Sequence, residues 1–130
     1  MYLSVLLKTR ILDNEIAALI RPIVIAYGLT NEQWLVLLYI DSHTNATSKV
    51  IGQDTCFLAP SLSRMFPGFI ELGYIKATKD PEDARVIFYN TTRKGAGVVK
   101  RVAAKLEEIN DNVKGLITHF VESMPVKDLN

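Results

Sequence analysis

The sequence has few of the residues that build catalytic or metal sites. One cysteine in 130 residues excludes an internal disulfide. The two histidines, His43 and His119, stand at metal-ligand spacing from no other histidine, cysteine or paired carboxylate. No glycine-rich loop that could cradle a phosphate is present either. We therefore expect no enzymatic activity, no cofactor and no metal site.

Long hydrophobic runs are also missing. No apolar run reaches the roughly 18 residues that a membrane span needs. The first residues include Lys8, Arg10 and Asp13 rather than the pattern of a signal peptide. With 48% hydrophobic and 22% charged residues, the composition is that of an ordinary globular domain. The expectation is a cytoplasmic protein without a membrane partner, built as a single domain over residues 1–130.

Charge of either sign is nearly balanced, since the net charge is +1. Its distribution is uneven, because residues 46–101 carry nine Lys or Arg against five Asp or Glu. Residues 1–45 carry three against four, and residues 102–130 carry three against five. This arrangement is expected if only the middle of the chain contacts phosphate.

Helical patterns fill the first part of the chain. Over residues 2–26 apolar side chains recur at helical spacing. Pro22 should bend or interrupt that helix, and Gly28 should end it. Thr30 and Gln33 form a capping-box pattern that opens the next helix, "NEQWLVLLYI". This second helix is apolar on nearly all sides, so we expect it at the buried centre.

Two short helices follow in close succession. Thr47 or Ser48 can cap the first, and Pro60 suits the start of the second. Gly73 should end the second helix in a left-handed conformation. The link of four residues, 56–59, forces the two helices to cross steeply, which predicts a helix-turn-helix.

Pro67 and Gly68 disturb the second of these helices. Pro67 lacks the N–H that would bond the Ser63 carbonyl, at a cost of about 3 kcal/mol in a regular helix. Gly68 costs about 1 kcal/mol relative to alanine. We expect a kink there, with Phe66 and Phe69 anchoring the two halves by burial.

Beyond Gly73 the pattern changes from helix to strand. The segments "YIKAT" and "RVIFYN" are rich in β-formers, and the turn "KDPEDA" between them predicts a hairpin. Thr92 can cap a long final helix that is broken near residues 110–112 or at Gly115. The predicted fold is mainly α with a small β-hairpin wing. It is a winged helix-turn-helix domain bracketed by amino- and carboxy-terminal helices.

These segments resemble the MarR family of transcription regulators. "LTNEQWLVLLYI" is similar to the family's Leu-Thr-x-x-Gln-aromatic-x-x-Leu opening, "SLSRM" to its recognition stretch, and "ELGYI" to its exit into the wing. The family's wing signature is matched, with Thr91 in place of the usual leucine, by Asp83, Arg85, Thr92 and Gly95. Residues 56–61, "CFLAPS", further resemble the branch that regulates aromatic-acid catabolism and adhesion genes.

The resemblance implies a homodimeric, sequence-specific DNA-binding regulator, with repression as the expected action. Residues 28–95 would form the winged helix region, and residues 1–27 and 96–124 the dimerisation helices. Two copies would read a near-palindromic operator in double-stranded DNA, in a prokaryotic cytoplasm and associated with the nucleoid when bound. The family usually adds a helix after residue 125, so we expect a dimer interface that is smaller or differently built here.

The resemblance and groove chemistry predict the same DNA-contacting residues. Ser61, Ser63 and Arg64 lie at the start of the recognition helix, where short donors and arginine read base edges or hold phosphates. In the wing, Arg85 can enter a minor groove, oriented by Asp83 on the same strand face. Non-specific phosphate contacts are predicted for Lys76, Lys79, Arg93 and Lys94.

Each of these assignments has a plainer alternative. Serines at a helix start also satisfy local backbone groups, and exposed hairpins are commonly charged to prevent edge pairing. Three carboxylates in the wing turn oppose phosphate as well. The alternative function is a winged-helix protein-interaction module or partner subunit with weakened or lost DNA binding.

Trp34 is the candidate ligand-binding residue. In the aromatic-acid branch, small phenolic acids bind near the corresponding tryptophan, between the winged domain and the terminal helices, so a small aromatic ligand is a candidate partner. The two arginines that suit its carboxylate are replaced here by Leu35 and Leu38. Burial of Trp34 in the core is therefore the favoured interpretation.

Overall fold

The structure is a computed structural model that describes residues 2–124, with side chains from residue 4 onward. The carboxy-terminal segment after residue 124, on which the expectation of a smaller or differently built dimer interface bears, lies outside the described residues. The elements in chain order are α1 (Tyr2–Ile25), α2 (Asn31–Asp41), α3 (Ser48–Thr55), α4 (Ala59–Glu71), β1 (Ile75–Lys79), β2 (Ile87–Thr91), α5 (Arg93–Glu108) and α6 (Asn110–Glu122). The predicted element order is confirmed.

The chain forms two compact units. One contains the residues up to 31 together with those from 103 onward, and the other contains residues 32–102. The second unit holds the helix-turn-helix and the hairpin. Its core is built from the buried side chains Trp34, Val36, Leu37, Ile40, Ile51, Leu62, Phe66, Phe69, Ile75, Val98, Val99 and Val102.

In the first unit, α1 continues through Pro22 to Ile25, so the expected interruption at Pro22 is wrong. A proline removes one helical hydrogen bond, and here both Pro22 and the residue four positions earlier are exposed, where water can satisfy the freed carbonyl. Gly28 ends the helix as predicted, with φ of 78°. The Gly28 N–H donates to the Ile25 carbonyl and the Leu29 N–H to the Val24 carbonyl, which is a Schellman motif.

Helix α2 supplies residues to the buried core, as its apolar sequence predicts, but it is buried on one face only. Trp34 is 3% exposed, and Val36, Leu37 and Ile40 are fully buried. Leu35 and Leu38, on the other face, are 51% and 36% exposed. An apolar sequence therefore leaves leucines in solvent, because a helix packs only the face that the core can reach.

The helix-turn-helix is formed by α3 and α4. The Thr47 Oγ1 caps α3 by accepting a hydrogen bond from the Val50 N–H at 3.3 Å, as predicted. Cys56 follows α3 with φ of 64°, in the left-handed region. The link is one residue shorter than predicted, because α4 begins at Ala59 and Pro60 is its second residue.

Helix α4 runs without interruption through Pro67 and Gly68 to Glu71. Pro67 points to solvent, while Phe66 and Phe69 are buried as predicted and hold both ends of this segment to the core. The helix ends in a Schellman motif at Gly73, whose φ is 76°. There the Tyr74 N–H donates to the Phe69 carbonyl at 2.9 Å.

The hairpin pairs β1 with β2 in antiparallel register, with Ala77 opposite Tyr89 and Lys79 opposite Ile87. An isolated bridge at Ala46, in a segment that the sequence analysis treated as loop, adjoins the edge of this two-stranded sheet. Ala46 and Tyr89 exchange both backbone hydrogen bonds, at 3.2 and 2.8 Å. Tyr89 is therefore held between two neighbouring backbones.

The start of α5 packs tightly against the end of α4. The Thr92 Oγ1 caps α5 by accepting from the Gly95 N–H at 3.0 Å, and its hydroxyl donates to the Gly73 carbonyl. A Cβ placed on Gly95 would lie 1.9 Å from the Tyr74 carbonyl oxygen. The predicted final helix divides at Ile109 into α5 and α6, close to one of the two predicted breaks.

The close approach at Gly95 predicts a large loss of stability for Gly95→Ala. The added methyl meets backbone rather than a flexible side chain, so α5 must shift, at a cost of about 3 kcal/mol in the free energy of unfolding. Urea denaturation followed by circular dichroism measures this. Gly115→Ala is the matched control, because a Cβ there meets nothing within 4 Å. This change should raise the free energy of unfolding by at most about 1 kcal/mol. Equal effects of the two changes would contradict the packing described for α5.

Candidate nucleic-acid interface

The start of α4 presents polar side chains to solvent. Ser63 and Arg64 are exposed and Ser61 is partly exposed, whereas Leu62 between them is fully buried. Arg64 forms no ion pair with any residue that the structure describes. Its guanidinium is therefore available to an acceptor outside the chain. The three predicted contact residues of α4 thus lie on its solvent side.

The buried face of α4 is joined to the wing by an aromatic stack. The Phe66 and Tyr89 rings lie 4.0 Å apart with an interplanar angle of 18°. Burial raises the pKa of the Tyr89 hydroxyl, as expected for a ring held partly inside the protein. Since Tyr89 lies at the middle of β2, this stack sets the position of α4 relative to the hairpin.

The loop of the wing holds Arg85 through Asp83. The Arg85 Nε and Nη2 donate to the two oxygens of the Asp83 carboxylate, each at 3.1 Å. The Arg85 N–H also donates to Asp83 Oδ1 at 3.0 Å. The guanidinium remains 90% exposed. The predicted orienting pair is present, but both residues lie in the loop before β2, so their placement on a strand face is wrong.

The pairing changes the titration of both groups. The hydrogen bonds from the Arg85 side chain and backbone lower the pKa of the Asp83 carboxyl from its ordinary 3.8. The same side-chain bond raises the pKa of the Arg85 guanidinium. The two groups therefore stay ionised together at neutral pH.

A second wing carboxylate, Asp80, stabilises the turn. The Asp80 Oδ1 accepts from the Glu82 N–H at 2.9 Å, which makes an Asx turn. The wing turn thus contains three carboxylates, Asp80, Glu82 and Asp83, and one arginine, and the negative charge of the carboxylates opposes contact with phosphate. The geometry of the turn depends on residues that weaken its cationic character.

The hairpin separates the two predicted lysines. Lys76 and Lys79 are both exposed, but three positions apart on β1 they point to opposite faces of the sheet. Lys79 is on the face of Tyr89, toward α4, and Lys76 is on the other face. A single flat contact surface therefore cannot include both of them.

At the start of α5, Arg93 and Lys94 differ in their surroundings. Both are exposed, but the Lys94 Nζ lies 5.6 Å from the centroid of the Tyr74 ring in a cation–π contact. Lys94 is thus associated with the end of α4. Arg93 forms no ion pair with any residue between 4 and 124.

The sequence analysis missed a side-chain pair at the base of the wing. The Asn90 Oδ1 accepts from the Asn45 N–H at 2.8 Å, and the Asn90 Nδ2 donates to the Asn45 Oδ1 at 2.9 Å. Asn45 has φ of 54°, a conformation that asparagine tolerates. A polar loop signals such a residue, but its partner 45 positions away leaves no local pattern.

Trp34 lies in the core of α2 with almost no exposed surface, which agrees with its favoured interpretation as a core residue. Cys56 is exposed. Across the described part of the chain, no helix has both the length and the apolar character needed to cross a bilayer.

The sequence is distantly similar to known proteins. No protein-family model matches the chain. The chain is 24% identical over 98 residues to the homoprotocatechuate degradative operon repressor of Escherichia coli, over 75% of this chain and 66% of that protein. It spans about two thirds of the length of this curated relative.

Solved structures are similar over most of the chain. A MepR–DNA complex from S. aureus has a TM-score of 0.68 at 20% identity, over 90% of this chain and 98% of that one. A MarR mutant from E. coli complexed with operator DNA has a TM-score of 0.71 at 15% identity, over 93% of this chain and 82% of that one. The chain has the MarR fold. The resemblance to MarR regulators and the predicted winged-helix fold class are confirmed.

The lowered pKa of Asp83 predicts when the wing pair breaks. Because the folded pKa lies below the ordinary value, the pair contributes stability above pH 3.8, and this contribution is lost as the pH falls through the folded pKa. A carboxyl titration followed by NMR should give a midpoint below 3.8 for Asp83. Arg85→Gln should return it toward that value, whereas Arg93→Gln should leave it unchanged. A midpoint that does not respond to Arg85→Gln would show that the pair does not exist in solution.

Proposed function

We propose that the chain is a DNA-binding transcription regulator, without enzymatic activity, that acts as a repressor in the cytoplasm. The observation that carries the proposal is the placement of two exposed arginines, Arg64 at the start of α4 and Arg85 in the wing loop, on a fold shared with proteins solved on DNA. The similar E. coli protein is itself named a repressor. Double-stranded DNA is the partner that this placement suits.

The chemistry of each element supports a separate contact. A helix fits the major groove, where Ser61, Ser63 and Arg64 reach base edges or phosphates. Arg85 suits the minor groove, where the negative potential is concentrated, and Asp83 restricts its guanidinium to one orientation. Either Lys76 or Lys79 contacts phosphate, since the two lysines lie on opposite faces of the sheet. Arg93 and Lys94 add positive charge beside the wing.

The acidic wing favours a second candidate function. Asp80, Glu82 and Asp83 share the wing turn with Arg85, and their negative charge reduces its attraction to phosphate. A winged-helix protein-interaction module would keep this fold and turn without needing a strongly cationic wing. The affinity for DNA decides between the two functions.

A homodimer follows from the apolar surface of the terminal helices. Several large apolar side chains of α1 and α6 are exposed in the single chain: Leu6, Leu7, Ile11, Ile117 and Val121. Burying such side chains against a second copy is favourable, and twofold pairing is the common arrangement. We propose residues 1–27 and 96–124 as dimerisation helices, with residues 28–95 of each copy reading half of a near-palindromic operator.

The DNA-binding proposal is tested by gel shift with the region upstream of the protein's own gene. Arg64→Ala and Arg85→Ala should each weaken binding about tenfold, since each removes a charged contact. Binding should weaken steeply with salt, and Arg85→Ala should reduce the slope by about 1. Arg10→Ala, on α1, is the control that should bind like the wild type. If neither variant differs from the control, the interaction module becomes the better account.

The dimer proposal is tested by sedimentation. The wild-type chain should sediment as a dimer, and Ile11→Asp should shift it toward the monomer, because a buried unpaired carboxylate is costly. Leu58→Asp is a matched control, since Leu58 is an exposed leucine of the winged unit. A dimer that withstands Ile11→Asp but is lost with Leu58→Asp would place the interface on the other unit.

A further inference from the structure

A cavity of about 370 Å³ lies on the winged unit, away from the proposed DNA contacts. All its lining residues fall between positions 35 and 57, on α2, the loop after α2, the end of α3 and the link to α4. None of them belongs to α1, α5 or α6. Its volume is within the range of about 300–1,000 Å³ that small-molecule sites occupy.

The walls of the cavity are apolar. Leu35 and Leu38, on the exposed face of α2, lie opposite Phe57 in the link before α4. The two leucines stand where the resemblance would place arginines for a carboxylate ligand. The walls can therefore cover an apolar body but offer nothing to an anion.

The polar end of the cavity is already ordered. The Tyr39 hydroxyl donates to Asp54 Oδ2 at 2.6 Å. The His43 ring stacks on the Tyr39 ring with centroids 3.9 Å apart, and its Nδ1 lies 2.7 Å from the Tyr39 carbonyl oxygen. The other carboxylate oxygen of Asp54 has no hydrogen-bond partner among residues 4–124. An acceptor is thus fixed in place beside aromatic faces.

The charge of the lining selects one class of ligand. Asp54 is its one carboxylate, and neither lysine nor arginine is among the lining residues. A cation gains from a carboxylate and from the faces of tyrosine and phenylalanine rings, whereas an anion is repelled. We propose that this cavity binds a small organic cation with an apolar body. Its charge lies against the Asp54 carboxylate, and its body lies against Leu35, Leu38 and Phe57.

Binding at this place also reaches the DNA-reading helix. Asp54 is near the end of α3, and Phe57 belongs to the three-residue link before α4. A ligand that holds both residues changes the freedom of the link and thereby the placement of α4. This consequence rests on the proposed function, whereas binding of the cation does not.

Calorimetry on the full chain tests the binding with benzyltrimethylammonium as the probe. The expected result is saturable binding of one cation per chain, with benzoate and benzyl alcohol each at least about tenfold weaker. Asp54→Asn should weaken the cation about tenfold by removing the charge while keeping the shape. Asp13→Asn makes the same change on α1 and should have no effect. Circular dichroism should show that both variants are folded.

Three results would overturn the proposal: equal binding of benzoate, unchanged binding by Asp54→Asn, or the absence of saturable heat. Cation affinity that falls as protein concentration rises would also overturn it and assign the cavity to contact with a second copy. Gel shifts with and without the saturating cation test whether ligand binding alters the placement of α4. Equal DNA binding in the two conditions refutes this coupling alone. If the chain does not bind DNA even without the cation, the proposed function is refuted and the calorimetric result is unaffected.

Discussion

The stack of Phe66 on Tyr89 is the contact on which the arrangement of the winged unit depends. Phe66 belongs to α4, and Tyr89 of β2 lies opposite Ala77 of β1 on one side and exchanges both backbone hydrogen bonds with Ala46 on the other. The helix and the hairpin are therefore placed by one pair of rings rather than by the short link between elements. Because the polar residues of α4 and the wing arginine lie beyond this pair, their spacing follows from it. A second attachment, from Thr92 and Gly95 to the end of α4, limits rotation of the same helix.

The carboxylates of the wing have two opposing effects on Arg85. Asp83 restrains Arg85 through two parallel hydrogen bonds, so less side-chain entropy remains to be lost when the guanidinium meets a partner. The same carboxylate lowers the local positive potential, and Asp80 and Glu82 lower it further. The loop thus fixes the orientation of the Arg85 guanidinium and weakens its attraction to an anionic partner.

The element order and the helix ends could be predicted from the sequence because their causes are local. Thr47, Gly28 and Gly73 act within a few residues of their own position. Contacts between distant residues could not be predicted, as the Ala46 bridge and the pair of Asn45 with Asn90 show. The interruption expected at Pro22 did not occur, since exposure of the freed carbonyl lets a helix continue through a proline. The kink expected at Pro67 stays a prediction. The exposure of Leu35 and Leu38 could not be predicted either, because composition alone does not say which face of α2 meets the core.

Pro67 leaves a mark on α4 beyond the continuity of the helix. It has no hydrogen to give the Ser63 carbonyl, which therefore lacks its regular helical donor, and Ser63 is exposed. A surface that covers this oxygen must supply a donor or leave the oxygen desolvated. The amino group of a cytosine or adenine edge is such a donor, whereas a carbonyl or a methyl group is not. Pro67 thereby leaves a carbonyl acceptor on α4 that favours a contacting surface with a hydrogen-bond donor at this position over one without.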